Sequence, residues 1–338
     1  MKNRTVLLVA ALCCLSFVFS VSASAKDLSL SSWLPPKHPI VADMIVPWIE
    51  NVKTATEGRV DIKILAKGLG HPKVHFDIAK DGLADVTFGV HGYQPGRFLL
   101  TKSVEFPFFG DSAEATSVAY WRVHQKHLAK GNEHRGVHLL SVFTHGPGII
   151  HNSKKDINSI ADLKGMKFRI GGGVVAEVAK SLGMVGLLKP ASKNYEILSR
   201  GVADGTLLPG ESLKSFKITK LVPHSTIVPG GLYNTSFFLV MNSNTFNGLS
   251  KKDQEAVTRV SGEAFARLAG KAWDAADKIG IQAAKDDGAT ITMASDSFVE
   301  EIKNATSHIE ADWVKKVNSK GIDGAAVMAM LRQEASAK

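Results

Sequence analysis

The chain is predicted to fold as an α/β protein of two domains, and three observations carry that prediction. Its opening runs strand, loop, helix, strand, loop, helix, strand, the rhythm of a sheet covered by helices. Its length of 338 residues suits two hydrophobic cores better than one. The stretch Leu163 to Lys180, LKGMKFRIGGGVVAEVAK, joins a short β run to three glycines and an apolar-periodic helix. Such strand exits are where open α/β sheets bind ligands.

The first 25 residues stand apart. Lys2 and Arg4 are followed by an almost wholly apolar run, Val6 to Val21, and by the small residues Ala23-Ser24-Ala25. This is the pattern of a secretory signal peptide, expected to be removed after Ala25. Both cysteines, Cys13 and Cys14, fall inside it. An exported chain without further cysteines has no thiolate nucleophile and no cysteine metal site, and must rely on its core rather than on disulfides. No later run approaches the roughly 20 apolar residues that a spanning helix needs. The formal net charge is +9. The basic residues are scattered and lack aromatic interleaving, so nucleic acid is not expected as a partner; attraction of small anions or plain solubility accounts for the charge.

Taken in order, Leu28 to Ser32 alternates as a strand and exits into the proline-stiffened Trp33-Leu34-Pro35-Pro36-Lys37-His38-Pro39. Ile40 to Thr56 is an amphipathic helix with Ile45, Trp48, Ile49 and Val52 on one face. Val60 to Leu65 is a strand, Pro72 to Lys80 a helix, and Ala84 to Gly89 a third strand leaving into Val90-His91-Gly92-Tyr93. Ala113 to Lys130 is helical, Val137 to Phe143 a strand, and Ile149 to Asn152 extended. Beyond Lys180 the rhythm repeats through Gly186 to Lys189, Asn194 to Arg200, Thr206 to Gly210, Glu211 to Phe216, and Leu221 to Ile227. Phe237 to Met241 is a strongly apolar strand. Asn242 and Ser250 lie in cap-forming stretches, and one long helix is predicted from about Lys252 to Lys285. Thr290 to Met293 and two amphipathic helices close the chain.

Arg169 is the candidate that this frame singles out. It sits near the end of the β run, beside a glycine-opened helix N-terminus whose unpaired N–H groups favour anions. A guanidinium offers a bidentate fork to a carboxylate. On residues alone, Arg169 is either an anion anchor or a surface arginine in a strand.

Five segments then match a known family in order and spacing. They are Ser32 to Val52, Gly82-Leu83-Ala84-Asp85-Val86, Ile157 to Gly171, Gly201-Val202-Ala203-Asp204-Gly205, and Leu239 to Gln254. Together they resemble the periplasmic substrate-binding proteins of tripartite ATP-independent periplasmic (TRAP) transporters, the DctP-like family, over nearly the whole chain. The resemblance implies a two-domain periplasmic binding protein with a hinge, an inter-domain ligand cleft and a long helix bracing both halves. The expected division is residues 26–145 plus 235–275 against 146–234 plus 276–338. It implies that Arg169 pairs with the substrate carboxylate and that the partners are a small organic acid and TRAP membrane permease subunits. Some family members carry a metal with a carboxylate ligand; here the residues support none, and a monomer without cofactor or metal is expected.

Departures from the sialic-acid-binding branch of that family point to the ligand. Trp33 stands where that branch has a polar residue, Val90-His91-Gly92-Tyr93 where it has charged groups, and Gly148-Ile149-Ile150 where it has a second arginine. Leu208 replaces a polar residue, and Ala191 a bulky aromatic. A second substrate carboxylate would need a second cation, so a monocarboxylate with an apolar or aromatic body is expected. Its wall is assigned to Trp33 and Tyr93, with His91, Gly172, Leu208, Asn234 and Phe237 as further ligand-binding candidates. Trp33 also fits a core role and His91 a satisfied loop histidine. Phe237 and Phe238 occupy opposite faces of one strand, so only one can face a pocket.

Other chemistry is thin. His71 and His75 share a helical spacing without a third ligand. His124, His127, His134 and His138 fall in and after a polar helix and are expected at the surface. The glycines lack dinucleotide-fingerprint spacing, and there is no nucleophile elbow. The alternatives to a binding protein are an exported enzyme acting on a carboxylate, with only His91 and Tyr93 as candidate catalytic groups, or a ligand-sensing receptor.

Overall fold

The computed structural model describes residues 26–336, so the predicted signal peptide lies outside the described residues. The chain opens with β1 (Lys26–Ser31), α1 (Val46–Ala55), β2 (Val60–Ile64), α2 (His75–Lys80), β3 (Val86–Val90), α3 (Ala113–Val123) and β4 (Val137–Thr144). It continues through β5 (Ile149–Asn152), α4 (Ile160–Leu163), β6 (Lys167–Ile170), α5 (Val174–Ser181), β7 (Val185–Leu188), α6 (Asn194–Ser199), β8 (Gly205–Leu208), α7 (Glu211–Ser215) and β9 (His224–Ile227). It ends with β10 (Ser236–Asn242), α8 (Ser243–Asn247), α9 (Lys251–Val260), α10 (Gly262–Asp286), β11 (Thr290–Met293), α11 (Asp296–Asn318) and α12 (Gly324–Ser336).

These strands make two sheets, ordered β2-β1-β3-β10-β4 and β11-β9-β5-β8-β6-β7. In the first, β1 is parallel to both β2 and β3, while β10 runs antiparallel between β3 and β4. Every residue of β10 is buried, which explains its unbroken apolar reading, SFFLVM. In the second sheet β6 lies parallel between β7 and β8. The chain crosses from the first sheet to the second between Thr144 and Ile149, and returns between Ile227 and Ser236. The C-terminal helices touch both sides: α11 packs on α5, and α12 on α3. No helix among the described residues is long and apolar enough to cross a membrane.

Local signals set many boundaries. Ser159 and Asp162 form a capping box at α4. Asn242 caps α8 by accepting from the N–H groups of Asn244 and Thr245, and Ser250 caps α9 by accepting from Asp253. The predicted apolar face of the first helix is buried, with Ile45, Trp48, Ile49 and Val52 all turned inward. Its first turn is wide, spanning Ile40–Ile45. Pro47 has no N–H to give the Asp43 carbonyl, which favours the wider spacing there.

The predicted long helix is broken. α9 and α10 meet at Ser261-Gly262, where Gly262 has φ +53°. The break is held by tertiary contacts. Trp48 Nε1 donates to Ser261 Oγ (3.1 Å), and Ser141 Oγ donates to the Gly262 carbonyl (2.8 Å). A Cβ on Gly262 would come within 2.8 Å of the Trp121 ring. The histidine expectation also needs correction. His124 and His134 are buried, while only His127 and His138 are partly exposed. His134 is drawn in by rings no local pattern reveals, stacking near Phe76, Phe98 and His91. His71 and His75 do not converge either: His71 caps its own turn through Nδ1, and His75 is fully buried.

Gly262→Ala should lower stability by about 1–2 kcal/mol, the cost of a left-handed L-residue, with Trp121 adding to it. Urea unfolding will register this as a lower midpoint at unchanged slope; an unchanged midpoint would mean the break does not need glycine.

Candidate functional site

Between the two sheets lies a small cavity of about 40 Å³. One wall comes from strand exits of the first sheet: Trp33 after β1, Val90 and Tyr93 after β3, and His145 after β4. The facing wall comes from the second: Arg169 and Gly171 at the end of β6, Ala191, and Leu208, Pro209, Glu211 and Ser212 at the end of β8. Tyr233, Thr235 and Phe237, on the segment returning to the first sheet, and Trp273 of α10 complete it together with His38, Ile40 and Phe216. The lining is largely apolar and aromatic.

Arg169 is the cation of this cavity. It is 1% exposed. Its Nε donates to the Lys189 carbonyl (2.8 Å), and one terminal nitrogen reaches Tyr93 Oη (3.4 Å). Among the described residues it forms no ion pair. Tyr93 is pinned in turn, because its hydroxyl accepts from the Ala191 N–H (2.8 Å) and its ring meets Trp33 edge-on at 5.9 Å. Trp33 is partly exposed, and its Nε1 is buried without a partner. Phe237 turns to the cavity face of β10 and stacks on Phe143; Phe238 turns the other way, toward Phe76 and His91.

The helix N-terminus beside Arg169 serves a different purpose from the one its sequence suggests. Glu105, 2% exposed, accepts from the Val174 N–H at the start of α5 (2.9 Å). The same carboxylate accepts from the N–H and hydroxyl of Ser236 (3.0 and 2.7 Å). The protein thus supplies its own anion to α5. Burial raises the Glu105 carboxyl, although these donors oppose it. Gly173 has φ +77°, and a Cβ there would come within 2.3 Å of Glu105. Gly172 has φ +80°, and a Cβ there would meet the Gly92 carbonyl at 2.4 Å. The glycines therefore make room for the Glu105 carboxylate and for the facing loop. Gly171, rather than Gly172, lines the cavity.

Two further candidates lie away from the cavity. His91 is 2% exposed and faces backward, its Nδ1 against Ser236 Oγ (3.1 Å) and its Nε2 against His134 Nε2 (2.8 Å). Two imidazoles sharing one hydrogen bond this way stay neutral, and burial lowers His91 to about 3. Asn234 contributes its backbone N–H to the Glu105 carbonyl (3.4 Å) and does not line the cavity.

Residue patterns missed several groups of this lining. His38 and Glu211 are buried there, with His38 Nε2 and Glu211 Oε1 3.4 Å apart and neither atom hydrogen-bonded. Burial lowers His38 to about 4 and lifts Glu211 to about 7. Asp277 stands behind, accepting from the Glu211 N–H (2.7 Å), and burial pushes its carboxyl well up. His145, lowered to about 4 by burial, and Tyr233 meet edge-on at 5.4 Å. His38 and Glu211 both follow strand exits, a signal available in the sequence. Trp273, in mid-helix, carries none.

Glu211 ties stability to pH. Its carboxyl is raised from 4.5 to about 7, so the folded chain holds a proton that the unfolded chain gives up. The contribution is full below about 4.5 and is lost as pH rises through about 7. Glu211→Gln should therefore be more stable than wild type at pH 8, by on the order of 3 kcal/mol, with the advantage gone near pH 4.5. Urea unfolding of both chains at the two pH values measures it; a difference independent of pH would contradict the burial of an ionisable Glu211.

Residues 30–316 match the family described as bacterial extracellular solute-binding protein, family 7. The chain is 31% identical over 316 residues to the outer membrane transporter protein TsaT of Comamonas testosteroni, covering 93% of each. A TRAP periplasmic solute-binding protein from Bordetella bronchiseptica, solved with bound (R)- and (S)-mandelate, is 44% identical. It superposes with a TM-score of 0.90, over 92% of this chain and 98% of that one. A marine metagenome TRAP protein specific for aromatic acids, solved with 3-hydroxybenzoate, is 33% identical with a TM-score of 0.87, over 93% and 98%. With two sheets facing across a cavity and a buried arginine at a strand exit, this chain belongs to the bacterial extracellular solute-binding proteins of family 7, the periplasmic binding components of TRAP transporters.

Proposed function

We propose that the protein captures an aromatic monocarboxylate in the periplasm, holds it through Arg169, and hands it unchanged to a TRAP membrane permease. The observation that carries this reading is Arg169 itself, a buried guanidinium with no carboxylate partner among the described residues, opening on an aromatic cavity. A ligand carboxylate would complete it, and Trp33, Tyr93 and Phe237 would flank the ring. The rest of the lining argues against dicarboxylates, because burial keeps His38 from becoming a second cation. The aromatic acids bound by the solved relatives support the same class.

In this reading the chain binds and releases as a monomer, without chemistry on the ligand. Residues 26–145 with 235–275 close against 146–234 with 276–338, by bending at the two crossings and in the helices. Gly172 against Gly92, and Glu105 between Ser236 and Val174, are the contacts that closure would make.

Arg169→Ala should weaken benzoate binding by roughly 2–5 kcal/mol in isothermal calorimetry, since it strips a desolvated carboxylate of its partner. Near-native affinity in a folded variant would remove the anchor. Wild type should be stabilised in thermal shift by benzoate and not by succinate, and mass spectrometry should recover the bound acid unaltered. Succinate alone stabilising the fold, or turnover of the acid, would overturn the reading.

A further inference from the structure

The same cavity holds two polar atoms that have no hydrogen-bond partner among the described residues. His38 is 3% exposed and Glu211 2%. Both line the cavity, and neither His38 Nε2 nor Glu211 Oε1 has a hydrogen-bond partner. Orphaned polar atoms at this depth are costly unless something completes them.

Their polarity follows from their other bonds. His38 Nδ1 accepts the Ile40 N–H (3.2 Å), so in the neutral ring the proton sits on Nε2, which is a donor. Glu211 Oε2 accepts from Ser212 Oγ (2.9 Å), which leaves Oε1 free, an acceptor in the ionised carboxylate. Donor and acceptor stand 3.4 Å apart, too far to satisfy each other well. The His38 ring is held in place by Phe216, at 5.2 Å between centroids.

The group that fits such a pair must accept one hydrogen bond and donate another. A hydroxyl does both through a single oxygen. A carboxylate only accepts, and an ionised Glu211 would repel it. An ammonium only donates, and His38 Nε2–H would oppose it. A methyl or ring hydrogen leaves both atoms unpaired.

We propose that His38 and Glu211 form a hydroxyl-recognition subsite, so that the substrates are aromatic monocarboxylates carrying a hydroxyl group. The proposal rests on Arg169 holding the carboxylate in the same cavity. Strand geometry is compatible with one ligand touching both. Arg169 pairs with Thr206 in the adjacent strand, and Leu208 lies about 7 Å further along β8, just before Glu211.

The test uses the full mature chain and matched ligand pairs in calorimetry: 2-, 3- and 4-hydroxybenzoate against benzoate, mandelate against phenylacetate, and the O-methyl ether of each hydroxylated acid. At least one hydroxylated acid should bind wild type roughly tenfold or more tighter than both its hydroxyl-free partner and its methyl ether, which accepts without donating. That ratio should collapse to within about twofold in Glu211→Leu and in His38→Phe, which keeps a ring against Phe216. Should either variant fail to fold, the other together with the wild-type ligand ratios decides. No hydroxylated acid exceeding its partners, or a ratio unchanged in the variants, overturns the subsite. If the hydroxyl-free acids still depend on Arg169 in that case, the carboxylate reading survives alone. No binding of any of these acids by wild type would overturn both.

Discussion

Burying a guanidinium costs several kcal/mol unless its charge and donors are met. The arrangement around Arg169 follows from that constraint. The backbone carbonyl of Lys189 and the hydroxyl of Tyr93 satisfy part of the fork, and neither neutralises it. The surrounding rings exclude water and so raise the strength of any interaction with an incoming anion. The protein keeps its own buried carboxylates off this cation, each held by other partners. Glu105 is committed to α5 and β10, and Asp277 to the backbone of Glu211.

That sorting of charges depends on a few close backbone approaches. Glu105 can reach the first turn of α5 because Gly173 has no side chain to obstruct it, and the Gly92 loop can meet Gly172 for the same reason. The glycines thus shape the junction between the two sheets, while the ligand space is bounded by rings and by Leu208. The result is a cavity that holds a cation, a neutral imidazole and a weakly acidic carboxyl among aromatic walls.

Much of the architecture is legible in the residues. Alternation and apolar runs mark the strands, and Ser159, Asn242 and Ser250 mark helix starts through local hydrogen bonds. What escapes local reading has long-range causes. The break at Ser261-Gly262 is made by Trp48, Trp121 and Ser141, more than 100 residues away in sequence. His91 and His134 look like loop and surface histidines, yet they are buried against each other and against phenylalanines from three separate segments.

The sequence by itself determined the strand–helix rhythm, the family likeness and the one arginine placed to hold an acid, because these depend on periodicity and on the chemistry of a single side chain. Only the tertiary structure decided which groups share the cavity with it. Glu105 claims the helix N-terminus, Gly171 takes the lining position that Gly172 seemed to hold, and His38 and Glu211 meet in the lining. The reason is physical. Burial and pairing are properties of neighbours, and these neighbours come from strand exits that only the packing of two sheets brings face to face.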